Sequence, residues 1–214
     1  MGTIKWMQWL VCTREGRDNV TDILFFSIYF LLPFCWWVIT ARQKESFFAW
    51  IGLKKITPEK SLKVLVLFTV VITYLSPKYL TPLFMPPGLT VQSQYGGMGL
   101  AALPSILLFG LKTGFPEEFF YRGFLLKRLQ NKFGFNTGNL IQAVIFALPH
   151  GLPLILISNT LWFPAIMCFL LSGFSAWLYG YISEKSSGGS IIPAILLHGL
   201  GNVAVSLLNA FNLI

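Results

Sequence analysis

Residues 161–182 read LWFPAIMCFLLSGFSAWLYGYI, a run that contains no charged side chain. A helix that crosses the hydrocarbon core of a bilayer needs roughly 17–25 mostly apolar residues, and this run has that length. Backbone N–H and C=O groups in lipid must find their hydrogen bonds within the segment itself, which favours a helix. The run therefore predicts a transmembrane helix.

Comparable runs lie on both sides of it along the chain. Hydrophobic residues make up 55% of the 214 residues and charged residues only 11%, against about 25% charged in typical soluble domains. We expect an all-α fold, a polytopic transmembrane helical bundle of about six spans, in which the last four helices form the core. The predicted spans are residues 22–40, 62–76, 98–122, 137–157, 161–183 and 190–212.

The connection after the second span is the best internal boundary. Residues 76–88 contain four prolines and Gly96-Gly97 follows, a composition that discourages a continuous helix. We therefore divide the chain into residues 1–97, with an N-terminal interfacial segment and two transmembrane helices, and residues 98–214, the helical core. The interfacial segment is residues 4–12, IKWMQWLVC, which is apolar but short and carries two tryptophans.

The net charge of +8 comes from basic residues that lie between the apolar runs. Loop 41–61 carries five Lys or Arg, loop 123–136 three and loop 184–189 one, whereas the alternate connections carry only Lys78. Such a bias places the richer loops in the cytoplasm. It is typical of a multi-pass protein of the cytoplasmic membrane in contact with lipid, and it gives no stripe for nucleic acid to bind.

Four ionisable side chains fall inside apolar runs, namely Glu117, Glu118 and the two histidines, His150 and His198. A charged residue at the centre of a spanning helix costs about 2.5–3.5 kcal/mol on insertion scales. Glu118 and Arg122 are four residues apart and can neutralise each other on one helix face. Glu117 points about 100° away around the helix, so this pairing does not explain it.

These groups have similar predicted depths in the membrane, which indicates one candidate site. At a rise of 1.5 Å per residue from the predicted cytoplasmic helix ends, Glu117 lies roughly 15 Å deep and His150 roughly 20 Å. His198 lies roughly 12 Å deep, and Asn202, one turn further on, roughly 18 Å. Four polar groups on three helices therefore share one layer near the middle of the bilayer.

These groups include no strong nucleophile, so the chemistry they favour is attack by water. Glu117 with His150 can deprotonate the water, and His198 with Asn202 can donate hydrogen bonds to the oxyanion that forms at a carbonyl. Together these roles describe amide hydrolysis without a cofactor. The alternative is a zinc ion held by Glu117, His150 and His198, although the H-E-x-x-H spacing of zinc peptidases is absent.

Three segments then carry a resemblance to a known family. PEEFFYRGFLL (116–126), IFALPHGL (145–152) and IIPAILLHGLGN (191–202) occur in this order. Together they resemble the motif blocks of the CAAX protease and bacteriocin-processing family, also called CPBP or Abi. The resemblance covers roughly residues 98–214, about half of the chain. It implies a helical intramembrane peptidase with these residues as its catalytic core.

Carried over motif by motif, the resemblance implies that Glu117 activates water with His150. It implies that His198 and Asn202 form the oxyanion hole. Glu118 and Arg122 match the rest of the first motif and are expected to support the site. The family has been described both as metalloproteases and as glutamate peptidases, so the zinc alternative stays open by this route too.

We therefore expect an intramembrane endopeptidase of the bacterial cytoplasmic membrane. Its partners would be lipid and a peptide or protein substrate, either a bacteriocin-type small peptide or a CAAX-like end of a membrane protein. One alternative is a non-enzymatic bacteriocin immunity protein. Another is a proton-coupled carrier, because proton relays also use intramembrane Glu and His, but the chain lacks the repeated halves expected of a carrier.

Overall fold

The protein is seen in a computed structural model that describes residues 24–25 and 27–214. Within these ranges the chain forms seven helices and no strand. The predicted interfacial segment at 4–12 and the start of the first predicted span lie outside the described residues. The helices are α1 (Ser27–Thr40), α2 (Phe47–Ile51), α3 (Leu62–Leu83), α4 (Gly99–Phe133), α5 (Phe135–Ile157), α6 (Asn159–Ser186) and α7 (Ile192–Ala210).

Five of these helices, α3 to α7, are long and apolar enough to cross a membrane, and α1 is a shorter apolar helix. Large apolar side chains point outward along them: Val64 of α3 is 68% exposed and Leu156 of α5 is 77% exposed. Such surfaces are stable in lipid and not in water. The all-α polytopic bundle is therefore confirmed, and the protein is an integral membrane protein.

Helix α3 is longer than predicted. We expected the proline-rich stretch to end it near residue 76, but its α-helical part, Leu62–Leu75, continues through a π-helical turn, Ser76–Leu80, into a 3₁₀ turn, Thr81–Leu83. Pro77 and Pro82 each lie in the first turn of a new segment. The pattern of backbone hydrogen bonds changes at these points. The N–H that each proline lacks is therefore not one that the interior of a regular α-helix would need.

Helix α4 also corrects a prediction. Residues 123–136 were expected to form a loop, but α4 continues to Phe133, and Gly134 alone separates it from α5. Two of the basic residues that indicated a loop lie on the helix and have interaction partners there. Lys127 donates to Glu184 and to the carbonyl of Gly189, and the Arg128 guanidinium lies 3.6 Å from the centre of the Trp50 ring.

Helices α5 and α6 pack along a polar seam. The buried Asn139 amide donates to the carbonyl of Trp177, and the buried Gln142 amide donates to the carbonyl of Ala176. Gly180 makes room for this seam, because a Cβ there would lie 1.9 Å from Asn139 Oδ1. The seam fixes α5 against α6 and with it the depth of His150 on α5.

Candidate active site

Helices α4 and α7 meet through glycines. A Cβ on Gly114 would lie 2.6 Å from Gly199 Cα, and a Cβ on Gly110 would lie 2.7 Å from the Gly199 carbonyl oxygen. The two backbones are therefore in direct contact, as small residues four apart allow in membrane helices. This contact places the glutamates, one turn beyond Gly114, next to His198. The Gly110-x-x-x-Gly114 spacing is visible in the sequence, but our prediction did not use it.

Glu118 is the centre of a buried polar cluster. Its Oε1 atom lies 2.9 Å from Arg122 Nη1 and 2.8 Å from His198 Nδ1. The side chains of Glu118 and Arg122 are both 0% exposed. A carboxylate oxygen accepts hydrogen bonds, so the N–H at Nδ1 of His198 donates to Glu118 Oε1. Glu118 thus sets the orientation of His198 and its protonated nitrogen.

Arg122 extends the cluster to α5 and α6. Its guanidinium carbon lies 4.5 Å from the centre of the Phe146 ring and 5.4 Å from that of Tyr179. Such cation–π contacts stabilise a guanidinium whose three nitrogens have no hydrogen-bond partner among the described residues, its contact with Glu118 being an ion pair. Arg122 therefore contacts side chains of two further core helices, and its supporting role stays a prediction.

His150 is held by its own helix. Its Nδ1 atom lies 2.8 Å from the carbonyl oxygen of Phe146, and the two rings stack with their centres 4.5 Å apart. A carbonyl oxygen only accepts, so Nδ1 donates and Nε2 is left as the acceptor of the neutral ring. Phe146 contacts both His150 and Arg122.

Glu117 lies on the other side of His198 from Glu118. Its Oε2 atom is 4.0 Å from His198 Nε2, and the Glu117 side chain is 15% exposed. That oxygen has no hydrogen-bond partner within the described part of the chain. A distance of 4.0 Å is too long for a hydrogen bond but can be bridged by one water molecule.

Asn202 has a partner that sequence reasoning missed. Its Nδ2 atom donates to Thr113 Oγ1 over 2.8 Å, and Thr113 Oγ1 in turn donates to the carbonyl of Phe109 over 2.9 Å. The amide group has a second N–H that this bond does not use. Thr113 lies one helical turn before Glu117, and that spacing is the signal that could have found it.

A cavity of about 240 Å³ brings three of the predicted residues together. His150, His198 and Asn202 line it. Glu117 is not part of the lining, but its Oε2 atom lies 4.0 Å from Nε2 of the lining residue His198. Thr73 and Ser76 of α3 also line it, although α3 was placed in the N-terminal division of the chain. That division at residue 97 stays a prediction.

The zinc alternative needs three ligands around one point. Within residues 24–25 and 27–214, no group of three His, Cys, Asp or Glu side chains could hold a metal ion. His198 illustrates the reason, because its Nδ1 is engaged by Glu118 and its Nε2 faces Glu117 at 4.0 Å. The side chains as placed do not fit a zinc site, and metal dependence stays a question for experiment.

The comparisons with known proteins point to one family. Residues 99–204 match the family model described as type II CAAX prenyl endopeptidase Rce1-like. This match confirms the resemblance found from the three motif segments, and it supports a membrane protease. No curated protein and no solved structure matches the chain.

Proposed function

Because residues 99–204 match the family model of Rce1-like type II CAAX prenyl endopeptidases, we propose that this chain is an intramembrane endopeptidase in which Glu117 activates water. Its substrate would be a small peptide or the end of a membrane protein, CAAX-like or of bacteriocin type. One observation carries the proposal. A carboxylate oxygen of Glu117 without a protein partner faces His198, which lines a cavity together with His150 and Asn202.

The first step transfers a proton from water to Glu117. His150 takes part through Nε2, which can accept a hydrogen bond because Nδ1 donates to the Phe146 carbonyl. A water molecule that donates one proton to His150 and the other to Glu117 is oriented for attack. Its oxygen bonds to the carbonyl carbon of the substrate, and the proton held by Glu117 later passes to the leaving amine as the C–N bond breaks.

The oxyanion would be stabilised by Asn202 and His198. The second N–H of the Asn202 amide is available, since Thr113 accepts only the first. His198 can donate from Nε2 only when both of its ring nitrogens are protonated, because Nδ1 already donates to Glu118. Glu118 is the counter-charge beside that form, because Glu117 holds the proton taken from water at this stage. Preorganised donors of this kind typically contribute 10²- to 10³-fold, about 2.7–4 kcal/mol each.

The test is cleavage of a defined probe by purified protein in detergent. The probes are a fluorescence-quenched peptide with a CAAX end, once farnesylated and once without the lipid. We expect Glu117→Gln to lower kcat by at least about 100-fold, since general-base catalysis contributes about 10²- to 10⁴-fold. His150→Ala should likewise abolish measurable cleavage.

Glu59→Gln is the matched control, because it makes the same change on an exposed residue outside the spanning helices. It should retain wild-type activity. Retained cleavage by Glu117→Gln would refute the assignment of Glu117 as the base. Addition of a strong metal chelator to the wild-type assay separates zinc chemistry from general-base chemistry, because only the former is lost on metal removal.

A further inference from the structure

The cavity beside His150, His198 and Asn202 has a second polar wall made of hydroxyl groups. Thr73 and Ser76 on α3 and Ser172 and Ser175 on α6 all line it. The rest of the lining contributed by these two helices is apolar or aromatic: Ile72, Pro77, Leu171, Phe174 and Tyr179. These hydroxyls have no role in the proposed hydrolysis itself.

Hydroxyl groups on helices in apolar surroundings commonly donate to the carbonyl one turn back. Ser172 does so, with its Oγ 2.6 Å from the Cys168 carbonyl oxygen. Thr69, one turn before Thr73, donates to the Leu65 carbonyl over 2.8 Å. Among the described residues, the hydroxyls of Thr73, Ser76 and Ser175 make no hydrogen bond, so the cavity presents three unused donor–acceptor groups. Thr73 and Ser175 lie on facing helices, α3 and α6.

A ligand that matches these groups must carry both donors and acceptors into an apolar space. A peptide main chain does, and each of its N–H and C=O groups that stays unpaired in such a place costs free energy. A hydroxyl can donate to a carbonyl or accept from an N–H, so it can bind either group. The main chain can offer these groups only where it is not already hydrogen-bonded within a helix.

The shape of the cavity points the same way. It is narrow where α3 meets α7, which favours an extended strand with small side chains. Gly201 contributes to this narrowness, because a Cβ there would lie 3.1 Å from Thr73 Cγ2.

We propose that Ser175 and Thr73 are substrate-binding residues that hold the main chain of the substrate in an extended, unwound form beside the catalytic groups. The inference rests on the proposed peptidase function and specifies its substrate: a segment without helical hydrogen bonds and with small side chains next to the cleaved bond. A hydrogen bond made equally in the ground state and the transition state changes KM and leaves kcat nearly unchanged.

The test compares hydroxyl deletions in the full chain with the two quenched peptides as probes. Ser175→Ala and Thr73→Val should each raise KM about threefold to tenfold, the effect expected when one neutral hydrogen bond is lost, with kcat within about twofold of wild type. Ser175→Thr keeps a hydroxyl and should restore KM. Binding of the same peptides to the Glu117→Gln protein, followed by fluorescence anisotropy, should weaken by the same factor when Ser175→Ala is added.

Two serines provide matched controls. Ser172→Ala removes a hydroxyl from the same helix and the same cavity, but one that is already bonded to the Cys168 carbonyl. Ser206→Ala removes a buried hydroxyl of α7 that is not part of the cavity lining. Both should leave KM within about twofold of wild type. If Ser175→Ala does not fold, as judged by size-exclusion elution, Ser175→Cys keeps the shape with a weaker donor and should raise KM in its place.

The outcomes separate this inference from the proposed function. If the wild type cleaves and Glu117→Gln does not, but Ser175→Ala and Thr73→Val behave like Ser172→Ala, the binding role is wrong and the peptidase stands. If the wild type cleaves neither probe, or Glu117→Gln cleaves, the proposed function fails and the inference falls with it. A fall in kcat without a change in KM would also contradict a role in binding.

Discussion

At the scale of single residues, the adjacent glutamates occupy opposite environments. Glu118 is fully buried and its Oε1 is shared by Arg122 and His198. Glu117 keeps 15% of its side chain exposed, and its nearest charged contact within residues 24–25 and 27–214 is His198 at 4.0 Å. We therefore assign Glu118 to the structure of the site and Glu117 to its chemistry.

This assignment predicts opposite results for the same substitution at neighbouring positions. Glu118→Gln leaves the buried Arg122 without its counter-charge, so the free energy of unfolding should fall by about 3–5 kcal/mol, as for other broken buried pairs. Glu117→Gln should change it by less than about 1 kcal/mol, since no hydrogen bond to a described residue is lost.

Reversible unfolding by a denaturing detergent, followed by tryptophan fluorescence, measures both variants. Equal stability of the two proteins would show that Glu118 does not hold the cluster together. Activity provides the second readout: Glu117→Gln should be inactive although it is folded.

The residues of the proposed chemistry were easier to find in the sequence than the residues that support them. Glu117, His150, His198 and Asn202 could be singled out because ionisable and amide groups are costly in apolar helices. Thr113 gave only its spacing of one turn before Glu117, because a hydroxyl in a membrane helix is usually satisfied by its own backbone. Its second bond, to Asn202, depends on how α4 and α7 pack, and the Gly110-x-x-x-Gly114 spacing that allows this packing does not say which helix lies opposite.

At the scale of helices, the spans were predicted well where apolar runs were unbroken. Helix α5 begins at Phe135 and ends at Ile157, against a prediction of 137–157. Helices α3 and α4 were predicted too short, because proline and basic residues were interpreted as ends. Contacts with residues distant in the sequence, such as the contact of Lys127 with Glu184, accompany the longer helix. Such contacts cannot be predicted from local sequence.

The glycine contact between α4 and α7 makes a prediction at this scale. Gly114→Ala would place a methyl group 2.6 Å from Gly199 Cα, so the helices must separate. We expect a loss of about 1–3 kcal/mol in the free energy of unfolding, the usual cost of overpacking, and reduced cleavage because the distance from Glu117 to His198 changes.

Gly173→Ala on α6 is the control for this substitution. A Cβ there would meet Ala147 Cβ at 3.4 Å, an ordinary contact, and alanine is the better helix former by about 1 kcal/mol. The control should therefore be neutral or stabilising in the same detergent unfolding assay. A Gly114→Ala protein as stable as this control would show that α4 and α7 do not need backbone contact.

At the scale of the whole molecule, charge predicts how the bundle sits in the membrane. The basic loop 41–61 and the α4 end at Lys127 and Arg128 lie together, since Arg128 stacks on Trp50 of α2. Lys78 lies in the last turns of α3, near the end of that helix opposite to loop 41–61. We expect the first group to face the cytoplasm.

Cysteine labelling in intact cells tests this orientation. In a chain with its three native cysteines replaced by serine, Lys78→Cys should react with a membrane-impermeant maleimide. Lys55→Cys, at a similarly exposed lysine, should react only after the cells are opened. The reverse pattern would invert the topology, and labelling of both positions in intact cells would contradict a single orientation.

Helix α3 lines the reaction cavity although only 6% of its most apolar stretch is buried inside the protein. We therefore propose that the peptidase meets its substrate in the plane of the membrane, where the quantity that governs the rate is the mole fraction of substrate among the lipids. Diluting proteoliposomes with buffer should leave turnover unchanged, whereas adding lipid to the same vesicles should slow it. A Michaelis constant for this protein is therefore a surface concentration, the amount of substrate per unit of membrane area.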